Sequence, residues 1–398
     1  MIIEAKLSGN VARAAHPLGC QADVMSQIQY VKEQGKFEGP KKVLILGASS
    51  SYGLASRISL AFGAQADTIG VSFERGIASE DKLATAGWWN NIFFKEAAEK
   101  EGLIAKNFIG DAFTNEMKDQ VIQYIKDEFG GKIDLLVYSL AAPRRNDPQT
   151  GEMHASVIKP IGEKVKGYSI NIEKEELFEQ TVEQASDKEI LDTINVMGGE
   201  DWKLWIDALA EADALSEGCK TTLYSYFGPD VTKPFYGDGT LGQAKRHAEE
   251  TSKEINRLLQ DKVQGESVIC VSKAVTTKAS AVIPIFPVYA CALYKVMRNK
   301  GIHETPIMHK LRFFKDMLYG NQREYDQLGR LRPDSWELRE EIQAEVKEIM
   351  NKVTPDNFKE LTDFALFKKE FLQLNGFDIE DVDYRDDVDI EKLKSLQP

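Results

Sequence analysis

Tyr236 and Lys245 stand nine positions apart in YGDGTLGQAK, residues 236–245. A phenol and an ammonium held together can protonate or steady an oxyanion. On one helix these two would not meet, because only positions three or four apart share a face. Gly237 and Gly239 interrupt the pattern, and the helical run LGQAKRHAEETSKEINRLL follows them, with Thr240 as its expected N-cap. Tyr236 is therefore expected in the loop before the helix, folded back over the first turn toward Lys245. A protonated lysine there would lower the phenol pKa from its usual ~10. Tyr224 and Tyr226 alternate on one strand face nearby, where tyrosines are mostly fillers.

A second group of residues suits a dinucleotide. GASSSYGLASRI (47–58) follows the short apolar run KKVLILG, and Gly47 and Gly53 bracket a strand-to-helix turn. Backbone N–H groups and a helix N-terminus at such a turn can face a pyrophosphate. The spacing is not GxGxxG but is closer to the GxxxGxG turn of short-chain dehydrogenases, with Ser51 in place of the middle glycine. Serine adds a hydroxyl donor and loses the backbone freedom of glycine. Glu74 ends the next strand, where a carboxylate suits the adenosine ribose hydroxyls and repels a 2′-phosphate, favouring NADH. Arg75 beside it is what a 2′-phosphate would want. By position, Asp111 follows the third strand and can take the adenine amino group. Leu140 and Ala141 follow the fourth and can approach the adenosine half.

These residues need a scaffold, and the chain is long enough for one. Its 398 residues are 42% hydrophobic and 28% charged, with a formal charge of −13. That balance disfavours nucleic acid, which needs a basic surface, but leaves room for an anionic small ligand. Cys20, Cys219, Cys270 and Cys291 show no paired spacing and are expected as reduced thiols in or near the core. The five histidines make no metal pattern, so no metal is expected. The N-terminal stretch lacks an apolar signal region, and the longest apolar run, AVIPIFPVYACALY (281–294), is too short to span a bilayer and holds two prolines. It is expected as a buried helix or pocket wall. A cytoplasmic protein without membrane contact is the expectation.

Strand and helix patterns alternate through residue 142, as in a doubly wound parallel sheet. Strands are expected at 41–47, 67–74, 105–112, 132–142, 219–228 and 265–276. Residues 143–198 are polar and irregular, an insertion in a core spanning 1–313. Residues 314–398 are charged and mostly helical.

Taken together, these segments resemble the single-chain trans-2-enoyl-thioester reductases: NADH-dependent trans-2-enoyl-CoA reductases and FabV-type enoyl-ACP reductases. The resemblance covers essentially the whole length. It includes AHPLGC (15–20), GASSSYGLASRI, GVSFE (70–74), GDAF (110–113), VYSLAAPRRNDPQTG (137–151), VMGGEDW (196–202), YSYFGP (224–229), YGDGTLGQAK and NGFDIEDVDY (375–384). Its most specific mark is the Tyr-x8-Lys spacing, which is shorter in related short-chain reductases. Ser51 departs from the glycine more usual in the family.

The resemblance implies a Rossmann-type α/β sheet of about seven strands with lid elements, active as a monomer. It implies that Gly47, Ala48, Ser49, Ser50, Ser51 and Tyr52 hold the pyrophosphate, and that Phe73 and Glu74 hold the adenosine ribose. Asp111 and Ala112 would contact adenine, and Leu140 and Ala141 would line the cofactor groove. Tyr226 would touch substrate, Tyr236 would donate the proton, and Lys245 would bind the cofactor ribose. Ala274, Val275 and Thr276 would border the nicotinamide and acyl pocket. NADH is the implied cofactor; no flavin is expected, although the family's C-terminal region carries a flavin name. The carrier is left open between CoA and acyl carrier protein, with the acidic net charge tilting toward CoA. A carbonyl-reducing dehydrogenase and a non-catalytic nucleotide sensor remain as alternatives.

Overall fold

The computed structural model describes residues 1–79 and 82–398. A short hairpin, β1 (Leu7–Ser8) and β2 (Val11–Ala12), precedes α1 (Pro17–Glu33). Strand and helix then alternate: β3 (Lys42–Leu46), α2 (Ser51–Ile58), β4 (Asp67–Ser72), α3 (Ala86–Lys100), β5 (Ala105–Ile109), α4 (Asn115–Glu128) and β6 (Ile133–Tyr138). The segment expected to be irregular is ordered instead. It forms two antiparallel hairpins, β7 (Arg144–Asn146) with β8 (Met153–Ala155) and β9 (Val165–Asn171) with β10 (Glu176–Val182), then α5 (Asp187–Met197). The hairpins are rich in polar residues because much of their surface faces water, which hid the strand pattern.

After α6 (Glu200–Glu211) come β11 (Leu215–Ser225), the one-turn α7 (Lys233–Tyr236), α8 (Thr240–Val263) and β12 (Glu266–Val271). The apolar run forms a short 3-10 turn and α9 (Phe286–Asn299), whose residues Phe286 through Tyr294 are all buried. The chain closes with α10 (Pro306–Arg312), α11 (Glu340–Lys352), α12 (Phe358–Leu361), α13 (Phe364–Gln373) and α14 (Ile390–Lys394). The inward faces of α11 and α13, with Ile342, Val346, Phe364, Phe367 and Phe371, share one core with α9.

Six strands pair in parallel in the order β12-β11-β6-β3-β4-β5, a doubly wound sheet. The expected seventh strand shrinks to a point: Leu331 alone bridges to Cys270, exchanging hydrogen bonds with Ile269 and Val271. Alternation along β3 splits the core as a period of two requires. Leu44 and Leu46 join Val121, Trp202, Trp205 and Ile255 on one face. Val43 and Ile45 meet Phe313, Phe314 and Leu331 on the other. All four cysteines are buried and free.

One ion pair lies inside this packing. Lys118 on α4 and Asp201 in the first turn of α6 meet at 2.8 Å with both side chains almost fully buried. Tyr138 donates to the second Asp201 oxygen, and Lys118 also donates to the Phe113 carbonyl. The network ties α4, α6 and β6 to the turn that carries Asp111.

Candidate active site

Strand order reverses between β3 and β6, and in open parallel sheets ligands bind outside the carboxyl ends of the strands at that point. The Gly47 turn sits there. Gly47 has φ +83°, and a Cβ on it would lie 2.3 Å from the Ser139 carbonyl oxygen and 3.3 Å from Leu140. Only glycine lets the two strand ends approach so closely. The Gly47 and Ala48 N–H groups both close on the Val71 carbonyl. Phosphate donors must therefore come from the first turn of α2, which leaves its N–H groups unspent. Ser51 stands at φ +47°, the backbone conformation for which glycine is preferred, so the departure seen in sequence keeps the same turn. Its hydroxyl is buried without a partner.

Glu74 is brought to this turn. Ser49 donates to one carboxylate oxygen at 2.6 Å, and Thr85 donates to the other. A carboxylate has about four acceptor positions, so two remain for ribose hydroxyls. Asn90 holds the Ser49 carbonyl at 2.9 Å. Beside Glu74, the Phe73 ring is 83% exposed. Asp111 accepts from the Phe113 N–H, while the Ala112 carbonyl is occupied by the Trp205 indole at 3.0 Å. Leu140 is half-buried and Ala141 exposed at the end of β6. Gly47, Ser49, Ser51, Glu74 and Leu140 thus converge. A cavity of about 600 Å³ joins Ser50 and Ser51 to Thr276 and to Glu370 on α13. The unpartnered Ser51 hydroxyl, the glycine-only approach and the half-used carboxylate fit a dinucleotide.

The tyrosines form a separate cluster with Phe286. Tyr236 is not in a loop, as the glycines suggested; it closes the one-turn α7, and Pro234 at the start of that turn explains how so short a helix forms. Gly239 rather than Thr240 is the N-cap of α8, and the Thr240 hydroxyl instead donates to the Val157 carbonyl at 2.6 Å. The Tyr236 ring packs edge-on to Tyr226, centroids 4.6 Å apart, and both pack against Phe286.

Lys245 does not meet the phenol. Its ammonium donates to the Tyr224 carbonyl at 3.1 Å, and burial pulls its pKa down to about 8. The expected acidification of Tyr236 is therefore reversed: burial, then the nearby Glu337 carboxylate, push that phenol up.

Glu337 is the residue that sequence reasoning missed. It lies in the polar, charged stretch after Phe314, where nothing marked it as inward-facing. It is fully buried and accepts from the Tyr226 hydroxyl at 3.0 Å, the Tyr289 hydroxyl at 2.7 Å and the Ala274 N–H at 2.6 Å. Burial raises its pKa. Tyr226 is thereby committed to Glu337, whereas the Tyr236 hydroxyl makes no hydrogen bond to a described residue. Thr276 is spoken for by Glu370 at 2.7 Å and Tyr294 at 2.9 Å. Val275 is buried.

Among the described residues, no group of three or more His, Cys, Asp or Glu side chains is placed to hold a metal ion, and no helix is long and apolar enough to cross a membrane.

Comparisons with known proteins agree with the fold. Residues 82–319 match the trans-2-enoyl-CoA reductase catalytic region, and residues 2–79 match the NAD(P)H binding domain of trans-2-enoyl-CoA reductase. The chain is 55% identical to the trans-2-enoyl-CoA reductase (NADH) of Clostridium beijerinckii over the full length of both. It is 53% identical to an enoyl-(acyl-carrier-protein) reductase (NADH) of Photobacterium profundum, again over both full lengths. The crystal structure of Clostridium acetobutylicum trans-2-enoyl-CoA reductase with NADH superposes with a TM-score of 0.97 at 52% identity, covering all of both chains.

Residues 325–388 match an enoyl reductase FAD binding domain. Within that segment Ile342, Val346, Phe364, Phe367 and Phe371 pack in one core with α9, and Glu370, Gln373 and Leu374 line the 600 Å³ cavity.

Proposed function

The chain belongs to the trans-2-enoyl-CoA reductase family, and from that premise we infer that it reduces the 2,3-double bond of trans-2-enoyl thioesters with NADH. When bound, NADH would supply a hydride to C3 of the enoyl group, and a proton delivered to C2 would complete the saturated thioester. The residues do the rest. As negative charge collects on the thioester oxygen, a donor aimed at that atom is worth roughly 3 kcal/mol. Tyr236 fills this role, and the observation that carries the assignment is its uncommitted hydroxyl beside a Tyr226 already donating to Glu337. Phe286 and the rest of α9 supply the apolar wall for the acyl chain. Glu337 positions Tyr226 and the Ala274 backbone. The Gly47–Tyr52 turn, Phe73, Glu74, Asp111, Ala112, Leu140, Ala141 and the Ala274–Thr276 segment are assigned to the cofactor.

Lys245 is assigned to the nicotinamide ribose, where its charge matters. With a pKa near 8 the ammonium is present below that value and lost above it. NADH affinity should therefore weaken as pH rises through about 8, and Lys245→Arg, charged throughout, should flatten that profile. A flat wild-type profile between pH 7 and 9 removes Lys245 from the cofactor site.

Glu74→Ala should mainly weaken NADH, by about tenfold for one lost charge-assisted hydrogen bond, and narrow its lead over NADPH. Equal use of the two cofactors by the wild type would sink this assignment of Glu74.

We place the protein in the cytoplasm as a monomer serving acyl-thioester or fatty-acid metabolism. Four unpaired cysteines support a reducing compartment. The test of function is NADH consumption with crotonyl-CoA beside crotonyl-acyl carrier protein. Turnover of either supports the reduction, and silence on both, with ketones reduced instead, would overturn it in favour of a carbonyl reductase.

A further inference from the structure

A second cleft, of about 550 Å³, lies between the N-terminal arm and the segment joining β4 to α3. Lys6, Arg13, Arg75, Lys82 and Lys278 line it, and among the described lining residues Glu4 is the one carboxylate. All five cations are exposed, and among the described residues none of their side chains makes an ion pair or hydrogen bond. This is a chain of net charge −13 in which lysines and arginines elsewhere pair freely with carboxylates. Unpaired like charges around one recess repel each other until an anion enters it. A second observation points the same way. Asn375 lines the cleft, is 5% exposed, and holds a buried Nδ2 with no partner among the described residues. A buried amide donor without an acceptor is rare unless a ligand or water supplies one.

The cleft also adjoins the candidate site, since Thr85, which lines it, donates to Glu74. Lys278 is two residues beyond Thr276, a reach of roughly 7 Å in extended chain. The arm that carries Lys6 and Arg13 is fixed by Asn10, whose amide donates to the Ala281 and Ile170 carbonyls at 2.7 Å. The arm is thereby held against the loop that leads into α9 and against β9, both next to the acyl wall.

We propose that this cleft takes the phosphorylated nucleotide end of an acyl-CoA thioester, its 3′-phosphate and pyrophosphate lying among the five cations. The proposal rests on the enoyl-thioester reduction above and names the carrier. A recess of this volume suits a nucleotide; an acidic carrier protein would need a broad basic face instead.

The test uses the full-length triple variant Arg13→Ala/Lys82→Ala/Lys278→Ala, whose sites are all exposed. Adenosine 3′,5′-bisphosphate is titrated calorimetrically into both proteins, and KM is measured for crotonyl-CoA, crotonyl-pantetheine and NADH. The wild type should bind the bisphosphate and the variant should bind it about tenfold more weakly or worse. KM for crotonyl-CoA should rise by a similar factor, while crotonyl-pantetheine, which lacks the nucleotide, and NADH stay within about twofold. No bisphosphate binding by the wild type overturns the proposal. So does an equal rise for both thioesters, or a rise confined to NADH, which would give the cleft to the cofactor. If neither thioester is turned over by the wild type, the reductase assignment fails by itself, and the bisphosphate titration still decides the cleft.

Discussion

Tyr236→Phe should lower kcat by about two orders of magnitude, the usual loss when one donor to a developing oxyanion is removed, and leave NADH affinity nearly unchanged. The substitution deletes one oxygen. The ring keeps its edge-on packing against Tyr226 and Phe286, so the acyl wall and the cofactor turn stay in place. The hydroxyl makes no hydrogen bond to a described residue, so no buried partner is orphaned in the free enzyme and stability should hold. Tyr226→Phe is the informative control. It removes a donor to Glu337, so its cost should fall on folding and substrate KM more than on kcat. Should Tyr236→Phe retain wild-type kcat while Tyr226→Phe collapses it, the proton donor is Tyr226 and Glu337 is its proton relay.

The largest stability effect is expected away from the reacting centre. Asp201→Ala leaves the Lys118 ammonium buried without a counter-charge and should destabilise the fold by about 3–5 kcal/mol. It also frees the Tyr138 hydroxyl, which now donates to Asp201 at 3.0 Å. Because Lys118 reaches the Phe113 carbonyl at 3.1 Å as well, the damage should extend to the Asp111 turn and appear as weaker NADH binding. Removing both charges with Lys118→Met/Asp201→Leu should recover much of the loss, since an apolar pair of similar volume avoids desolvating either ion. Denaturant midpoints of the three proteins check this. A single Asp201→Ala that costs under about 1 kcal/mol would mean that water reaches the pair.

The part of this protein legible in its sequence was the part with local rules. Most sheet strands are short apolar runs that fall where KKVLILG, DTIGVSFE and their counterparts put them, whereas β11 starts at Leu215, four residues before CKTTLYSYFG, through the polar stretch LSEG. The Gly47 turn was legible because a positive φ and a close approach leave a residue-type signature, and Ser51 shows that the backbone can keep that conformation without the glycine. The Tyr236 neighbourhood was only half legible. Two glycines implied a loop, yet Pro234 starts a helical turn between Lys233 and Tyr236. The nine-residue spacing implied a Tyr–Lys meeting, yet the Lys245 ammonium turns to the Tyr224 carbonyl.

Glu337 was invisible. A buried carboxylate reads in sequence like any surface glutamate, and its partners Tyr226, Tyr289 and Ala274 lie 48 or more residues upstream. Hairpins such as β9–β10 were missed for the opposite reason, since strands exposed on one side lack an apolar run.

The single-residue pairing of Leu331 bears on how the protein tolerates being shortened. On the flank of β12 the Ser267 N–H is taken by the Asn256 side chain at 3.0 Å, and a sheet flank left bare is the kind of edge on which another chain can add a strand. Leu331 occupies Ile269 and Val271 on that flank with one residue, and Arg323 and Tyr325 clasp Glu266 at the start of the same strand. Chains ending near residue 320 would keep the sheet and lose this stopper. They should aggregate through β12, whatever becomes of the chemistry.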